Sequence, residues 1–263
     1  MQRRLGPLSV ESVAAESPKF TAPLLLVHGL WCSALVWRKF MGYLAHRGWI
    51  CHAVNLRDAD RAGATTVGAG AADYAADLQA AIAACAAPPI VVGHDLGGLL
   101  ALRCRASDVR AAVALAPVVP AALATAPNRA LQRLAARVAW WCSRSVAAPH
   151  GALGAAYFGG GAPGGTAPDS SAAVHELCQP SFPLACDGAV PKLIIAGERD
   201  QFSVPRDVAT LAARVGADCR CVAGATHAMP WEPGWERRVA EVHRWLIQML
   251  GESLLLPREE EDE

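Results

Sequence analysis

The 263-residue sequence predicts an α/β protein: a doubly wound, mostly parallel sheet with an inserted helical lid. Three observations predict it. Short continuous apolar runs alternate with helical patterns along most of the chain, as strands buried on both faces and joined by crossover helices require. One run, Pro89 to Val92, ends in Gly93-His94-Asp95-Leu96-Gly97-Gly98, and a helical pattern (Leu96, Leu99, Leu100, Leu102) begins at once. The alternation breaks only between Pro117 and Pro191, and a structureless loop of that length does not suit a compact domain.

Taken in order, Leu8 to Val13 supplies at most a short edge strand. Leu24 to Val27 reads as a strand buried on both faces and ends in the loop His28-Gly29-Leu30-Trp31. Ser33 is placed to cap a helix running through Trp37, Phe40, Met41 and Leu44 to Gly48. Trp49 to Val54 is the next strand, followed by a polar, Gly-rich stretch from Asn55 to Gly70. Tyr74, Leu78 and Ile82 recur at helical spacing. After the Asp95 turn and its helix, Val109 to Leu115 is a strand closed by Pro117. Lys192 to Gly197 is a strand, Val204 to Val215 a helix and Cys219 to Val222 a strand. A last helix spans about Gly234 to Leu250, with Val239, Val242, Leu246 and Leu250 on one side.

These elements give one domain over residues 20–250, with a lid insertion at about 118–190. Residues 1–19 read as an N-terminal extension and 251–263 as an acidic tail. The insertion holds a helical pattern (Leu131, Leu134, Val138, Trp141), then the Gly/Pro-rich stretch Gly159 to Pro168, then Phe182 and Leu184.

Composition narrows the function classes. Lys+Arg and Asp+Glu balance at 24 each, so no strong field points to nucleic acid or an acidic membrane surface. The apolar run Ala111 to Ala126 contains Pro117 and Pro120 and reads as a strand and turn, not a membrane span. Nine scattered cysteines, without C-x-x-C and without a signal-peptide core, lead us to expect a cytoplasmic protein with free thiols. Cys219 and Cys221 share one face of their strand and read as packing residues. No histidine spacing suits a metal, and no phosphate loop is present, so no metal or cofactor is expected. The expected partner is a small-molecule substrate, with the protein a monomer or homodimer.

Sites in open α/β sheets form at the carboxyl ends of the strands. Three such loops carry reactive groups: Asp95, then Asp200 in Gly197-Glu198-Arg199-Asp200, then His227 in Gly224-Ala225-Thr226-His227. Nucleophile, acid and histidine in this order match a hydrolase triad on a strained strand–turn–helix elbow. The plainer reading makes Asp95 the N-cap of an ordinary helix. His28 is expected to organise its loop, and His94, pointing the other way along its strand, to be structural. Trp31, Trp140, Trp141 and Tyr157 are expected as apolar pocket walls, though plain packing explains any one of them equally well.

From Leu24 to Leu250 the sequence resembles the α/β-hydrolase fold superfamily, on Val27-His28-Gly29, Gly93-His94-Asp95-Leu96-Gly97-Gly98, Ala196-Gly197-Glu198-Arg199-Asp200 and Gly224-Ala225-Thr226-His227. Trp231-Glu232-Pro233-Gly234-Trp235-Glu236 is similar to the tail of a group of small bacterial hydrolases of that fold, which carry Ser at the elbow. Asp95 departs from that group and is similar to epoxide hydrolases and haloalkane dehalogenases. The resemblance implies backbone N–H donors at Leu30 and Leu96 for an oxyanion. It also exposes differences: only one tyrosine, Tyr157, lies in the insertion where epoxide hydrolases use two. Leu96 stands where dehalogenases have a halide-gripping Trp, leaving Trp31, Trp140 or Trp141 to donate an indole N–H.

A carboxylate at position 95 is ionised at neutral pH and needs no base for its first attack. Attack on an epoxide or alkyl halide gives an ordinary ester, which water activated by His227 would hydrolyse. Three functions follow as expectations. The first is a hydrolase using Asp95 as nucleophile on an alkyl electrophile, epoxides ahead of halides because Tyr157 is available. The others are an esterase or lactonase-like hydrolase with Asp95 as general base, and a non-enzymatic ligand-binding protein.

Overall fold

A computed structural model describes residues 3–6, 8–58, 69–124, 145–166, 168–177, 184–251 and 255. An eight-stranded sheet runs through it in the order β1-β2-β4-β3-β5-β6-β9-β10. Its strands are β1 (Arg3–Leu5), β2 (Leu8–Val13), β3 (Leu24–Val27), β4 (Cys51–Val54), β5 (Ile90–His94), β6 (Ala111–Leu115), β9 (Lys192–Gly197) and β10 (Asp218–Val222). From β4 to β10 all pairings are parallel, and β1 and β2 join antiparallel. The sequence-predicted fold class holds.

The central strands are apolar because both faces are covered. Leu24–Val27, Ile90–Val92 and Ala111–Leu115 are fully buried. Helices α1 (Arg38–Ala45), α2 (Ala71–Ala83), α3 (Leu96–Leu102), α6 (Pro205–Val215) and α7 (Trp235–Leu250) flank the sheet. Ser33 begins a short 3-10 turn, Ala34–Trp37, ahead of α1, and its hydroxyl accepts the Leu35 N–H as expected of a cap. Val239, Val242 and Leu246 of α7 join Phe40 and Leu44 of α1 in the main core. Val208, Leu211 and Val215 of α6 close a second cluster over Ile194 and Ala196.

Two readings need correction. Residues 3–13 are not an appendage: β1 and β2 form a hairpin that extends the sheet beyond β4, so Leu8–Val13 is not an edge strand. The hairpin was hidden because its pattern is mixed: Leu8, Ser9 and Val10 are buried in succession, without the alternation of a one-sided strand. Cys219 and Cys221 are exposed on the edge strand β10 and are not core packing residues. Sharing a face fixes which side two residues point to, not whether anything covers that side.

The insertion between β6 and β9 contains β7 (Ser145–Val146), α4 (Gly151–Phe158), β8 (Asp169–Ser170) and α5 (Ser171–Leu177), with β7 and β8 paired antiparallel. The helical pattern from Leu131 to Trp141, including Trp140, lies outside the described residues, as do Phe182 and most of the acidic tail. Register aligns the strand ends that matter. Val27 pairs with Gly93, His94 with Leu115, and Gly197 with Val222, so the loops that follow these strands open on one edge of the sheet.

Candidate active site

The turn after β5 is built by glycines. A Cβ on Gly93 would lie 2.0 Å from the Gly97 carbonyl oxygen, and one on Gly97 would lie 2.3 Å from that of Val27. Only side-chain-free residues let strand, turn and helix approach so closely. Asp95 between them adopts φ +53°, ψ −117°, a strained conformation for a residue with a side chain. Its carboxylate makes no capping bond to α3, so the plain N-cap reading fails. The side chain instead projects over Gly29, where any Cβ would come within 2.6 Å of the Asp95 Cβ.

The two carboxylate oxygens of Asp95 have different surroundings. Oδ2 accepts from Leu30 N–H at 3.0 Å and from the Tyr157 hydroxyl at 2.6 Å. Oδ1 lies 3.5 Å from His227 Nε2. His227 Nδ1 lies 2.9 Å from Asp200 Oδ2. The other Asp200 oxygen accepts the N–H groups of Phe202 and Ser203 at 2.8 and 2.9 Å. Because Asp200 Oδ2 can only accept, Nδ1 carries the hydrogen. Asp95, Asp200 and His227 thus come together, with side chains 4%, 0% and 0% exposed.

Electrostatics follow from this packing. Burial opposes charge on Asp95, but hydrogen bonding and charge from His227 outweigh it and draw the carboxyl down to about 2. Burial likewise opposes charge on His227, but Asp200 and then Asp95 raise it to about 10. Burial, then Asp95, pushes the Tyr157 phenol well above its ordinary value, so the hydroxyl keeps its proton and donates.

Tyr157 comes from α4 in the insertion. Its ring lies 4.5 Å from that of His227, 4.8 Å from Phe202 and 5.3 Å from Trp31. It is 2% exposed, so the insertion closes over the Asp95 carboxylate.

The sequence matches the profile of the alpha/beta hydrolase family over residues 24–242. The chain belongs to that family. Solved structures of the same fold include the monoacylglycerol lipase of Paleococcus ferrophilus, at 18% identity and a TM-score of 0.70, covering 92% of this chain and 98% of that one. A soluble variant of monoglyceride lipase from Saccharomyces cerevisiae aligns at 14% identity with a TM-score of 0.73, covering 94% of each chain. E-2-(acetamidomethylene)succinate hydrolase aligns at 22% identity with a TM-score of 0.61, covering 94% and 98%. Curated protein sequences give no match.

Against the alpha/beta hydrolase frame, the remaining expected residues divide. Leu30 delivers its N–H to Asp95, whereas the N–H of Leu96 makes no hydrogen bond among the described residues. Trp31 walls the site beside Tyr157, but its indole N–H is spent on the Val146 carbonyl at 3.0 Å and is not free for a halide. Trp140 and Trp141 lie outside the described residues. His28 organises its loop as expected: Nε2 accepts Leu56 N–H at 3.0 Å, and Nδ1 bonds the Gly29 carbonyl at 2.7 Å.

His94 does not point away from the site. Its Nε2 bonds the His227 carbonyl at 2.8 Å, and the two rings lie 5.0 Å apart. Strand alternation could not show that the loop after β10 folds against this side chain. Two further residues escaped the sequence reading. Asp169 of β8 accepts Trp31 N–H at 2.8 Å and the Tyr74 hydroxyl, bracing the loop that carries Leu30. Glu232 accepts the N–H (3.0 Å) and hydroxyl of Thr226 and pairs with Arg238 at 2.8 Å, fixing the His227 loop. Glu232 stood in the Trp-Glu-Pro-Gly-Trp-Glu motif, which was legible; Asp169, just after the Gly/Pro-rich stretch, gave no signal.

Proposed function

We propose that this hydrolase attacks a small apolar alkyl electrophile with Asp95, forming an ester that water activated by His227 then hydrolyses. The unequal surroundings of the two Asp95 oxygens carry this reading. Oδ2 is held by two donors, which leaves Oδ1 as the attacking atom. When Oδ1 bonds to a saturated carbon, the carbon–oxygen or carbon–halogen bond breaks and Oδ2 becomes the ester carbonyl oxygen. Water then adds to Cγ, and negative charge develops on Oδ2, where Leu30 N–H and the Tyr157 hydroxyl already stand. Leu96 N–H, at the start of α3, is a further donor to the same charge. The commitment of the Trp31 indole to Val146 favours epoxides over halides, since that indole, beside the site, is not left to grip a leaving halide.

Burial of Asp95, His227 and Tyr157 supports a lid role for the insertion, with α4 moving to admit substrate. Among the described residues no helix is long and apolar enough to cross a membrane.

The lipases among the structural neighbours favour a second reading, an esterase in which Asp95 acts as general base on water. The decisive experiment is intact-mass analysis of wild type, acid-quenched in the first turnover, and of His227→Gln, each with epoxides, alkyl halides, esters and lactones. The expected result is an adduct mapped to Asp95 with an epoxide or halide, absent in Asp95→Asn. Ester hydrolysis by wild type with no adduct from any class would transfer the assignment to the general-base reading. Inertness toward every class would leave a ligand-binding protein.

A further inference from the structure

We infer that His227 is also the general acid of the first step, and that the site is therefore built to open an epoxide rather than to displace a halide. This rests on the nucleophile reading above. The imidazole lies between two buried carboxylates, with Asp200 Oδ2 2.9 Å from Nδ1 and Asp95 Oδ1 3.5 Å from Nε2. Among the described residues, Nε2 is buried and has no hydrogen-bond partner nearer than that oxygen. Two negative charges against one ring, in a site closed to water, are balanced by a proton on Nε2 as well as on Nδ1.

Among the described residues, the other groups around the ring add no positive charge. His94, from β5, bonds the His227 carbonyl, and burial, then the charge on His227, brings it down to about 4, so it is neutral. Tyr157, from α4, faces the ring as a neutral phenol, and Phe202 lies 5.4 Å away. The Cys32 thiol nearby is kept protonated by burial, then by Asp95 and Asp169. Burial of the imidazolium is outweighed by Asp200 and Asp95, which hold His227 at about 10. Tyr157 is the other acid within reach, but its hydroxyl is committed to Asp95 Oδ2 at 2.6 Å.

The proton balance then closes within the site. Asp95 Oδ1 attacks a ring carbon, the carbon–oxygen bond breaks, and its electron pair takes the Nε2 proton. The charges on Asp95 and His227 disappear together. Neutral His227 next accepts a proton from water as hydroxide adds to Cγ. Collapse of the intermediate expels the diol and returns Asp95 as carboxylate and His227 as imidazolium, so the sum is epoxide plus water giving diol. A halide would depart with its charge and take no proton. His227 would then remain protonated after the first step, unable to act as base until it lost a proton to solvent.

The test compares labelling of Asp95 by styrene oxide and by phenethyl bromide, followed by peptide mass spectrometry. In folded His227→Gln the bromide should label Asp95, whereas the epoxide should label it about a hundredfold or more slowly than in wild type, the range for loss of a general acid. Epoxide labelling of the variant at the wild-type rate would overturn the acid role and leave the nucleophile role standing. Absence of labelling by either probe in either protein would remove the nucleophile reading and this one with it. Independently of any variant, wild-type labelling by styrene oxide should fall as pH rises through about 10, while labelling by the bromide should not. An epoxide rate flat across that range would overturn the proposal.

Discussion

Asp95 and His227 meet as a buried ion pair, and each tilts stability with pH in its own direction. The Asp95 carboxyl is depressed from 3.8 to about 2, so its contribution is present above the higher value and lost as pH falls through the lower. His227 is raised from 6.5 to about 10, so its contribution is complete below 6.5 and lost as pH rises through 10. Wild type should therefore lose up to a few kcal/mol between those last two values, and His227→Gln should lack that decline. Urea denaturation of both proteins at each pH measures it; parallel curves would refute the pairing. At this scale the sequence was a good guide to Asp95, Asp200 and His227, because each stands in a short motif directly after an apolar run. The Tyr157 hydroxyl bond was not legible, since it depends on the path of α4, which no local pattern specifies. His94 misled for a related reason: alternation along a strand cannot foresee which loop will arrive on the same side.

Among the elements, the β7–β8 ribbon has a use beyond covering the site. Trp31 holds φ +57°, and three contacts keep it there: its N–H on Asp169, its indole on Val146, and its ring against Tyr157. Leu30, one residue earlier, thereby aims its N–H at Asp95. Replacing Asp169 with Ala strands the buried Trp31 N–H, at about 1–3 kcal/mol, and removes one acceptor from the Tyr74 hydroxyl. Denaturation should show that loss, and in the proposed mechanism the Asp95 ester should persist longer in Asp169→Ala because its oxyanion donor has shifted. A variant as stable as wild type, with unchanged ester lifetime, would count against this bracing. At the elbow, Gly29→Ala forces its Cβ into the Asp95 side chain, which must swing away. Asp95 labelling should then fall sharply, read by the same mass analysis. The elbow was legible as an element because sterics demand its glycines; the β1–β2 hairpin was not, because its partner strand lies about forty residues further along the chain.

For the molecule as a whole, parallel register gathers at one edge three loops spread over more than a hundred residues of chain, and an α/β alternation implies that gathering from the sequence alone. The alternation could not say how tightly the molecule closes. Burial divides the described thiols: Cys32, Cys51 and Cys104 are inside, Cys219 and Cys221 on the exposed β10 edge. Alkylation of the native protein should modify the latter pair before Cys32, Cys51 and Cys104, which react only on global unfolding. Rapid modification of Cys32 in native protein would mean that the site opens far more readily than its burial implies.

The asymmetry of the Asp95 oxygens has one more consequence, concerning where atoms end up. With Oδ2 pinned and Oδ1 bonded to carbon, water entering at Cγ leaves its own oxygen in the protein and releases the original Oδ1 in the alcohol. A single turnover in heavy-oxygen water should thus yield unlabelled product and an Asp95 peptide heavier by one isotopic substitution. If water attacked the substrate directly, the bookkeeping would reverse: product labelled, enzyme unchanged. The provenance of one oxygen atom would thus reveal whether the carboxylate attacks carbon or activates water.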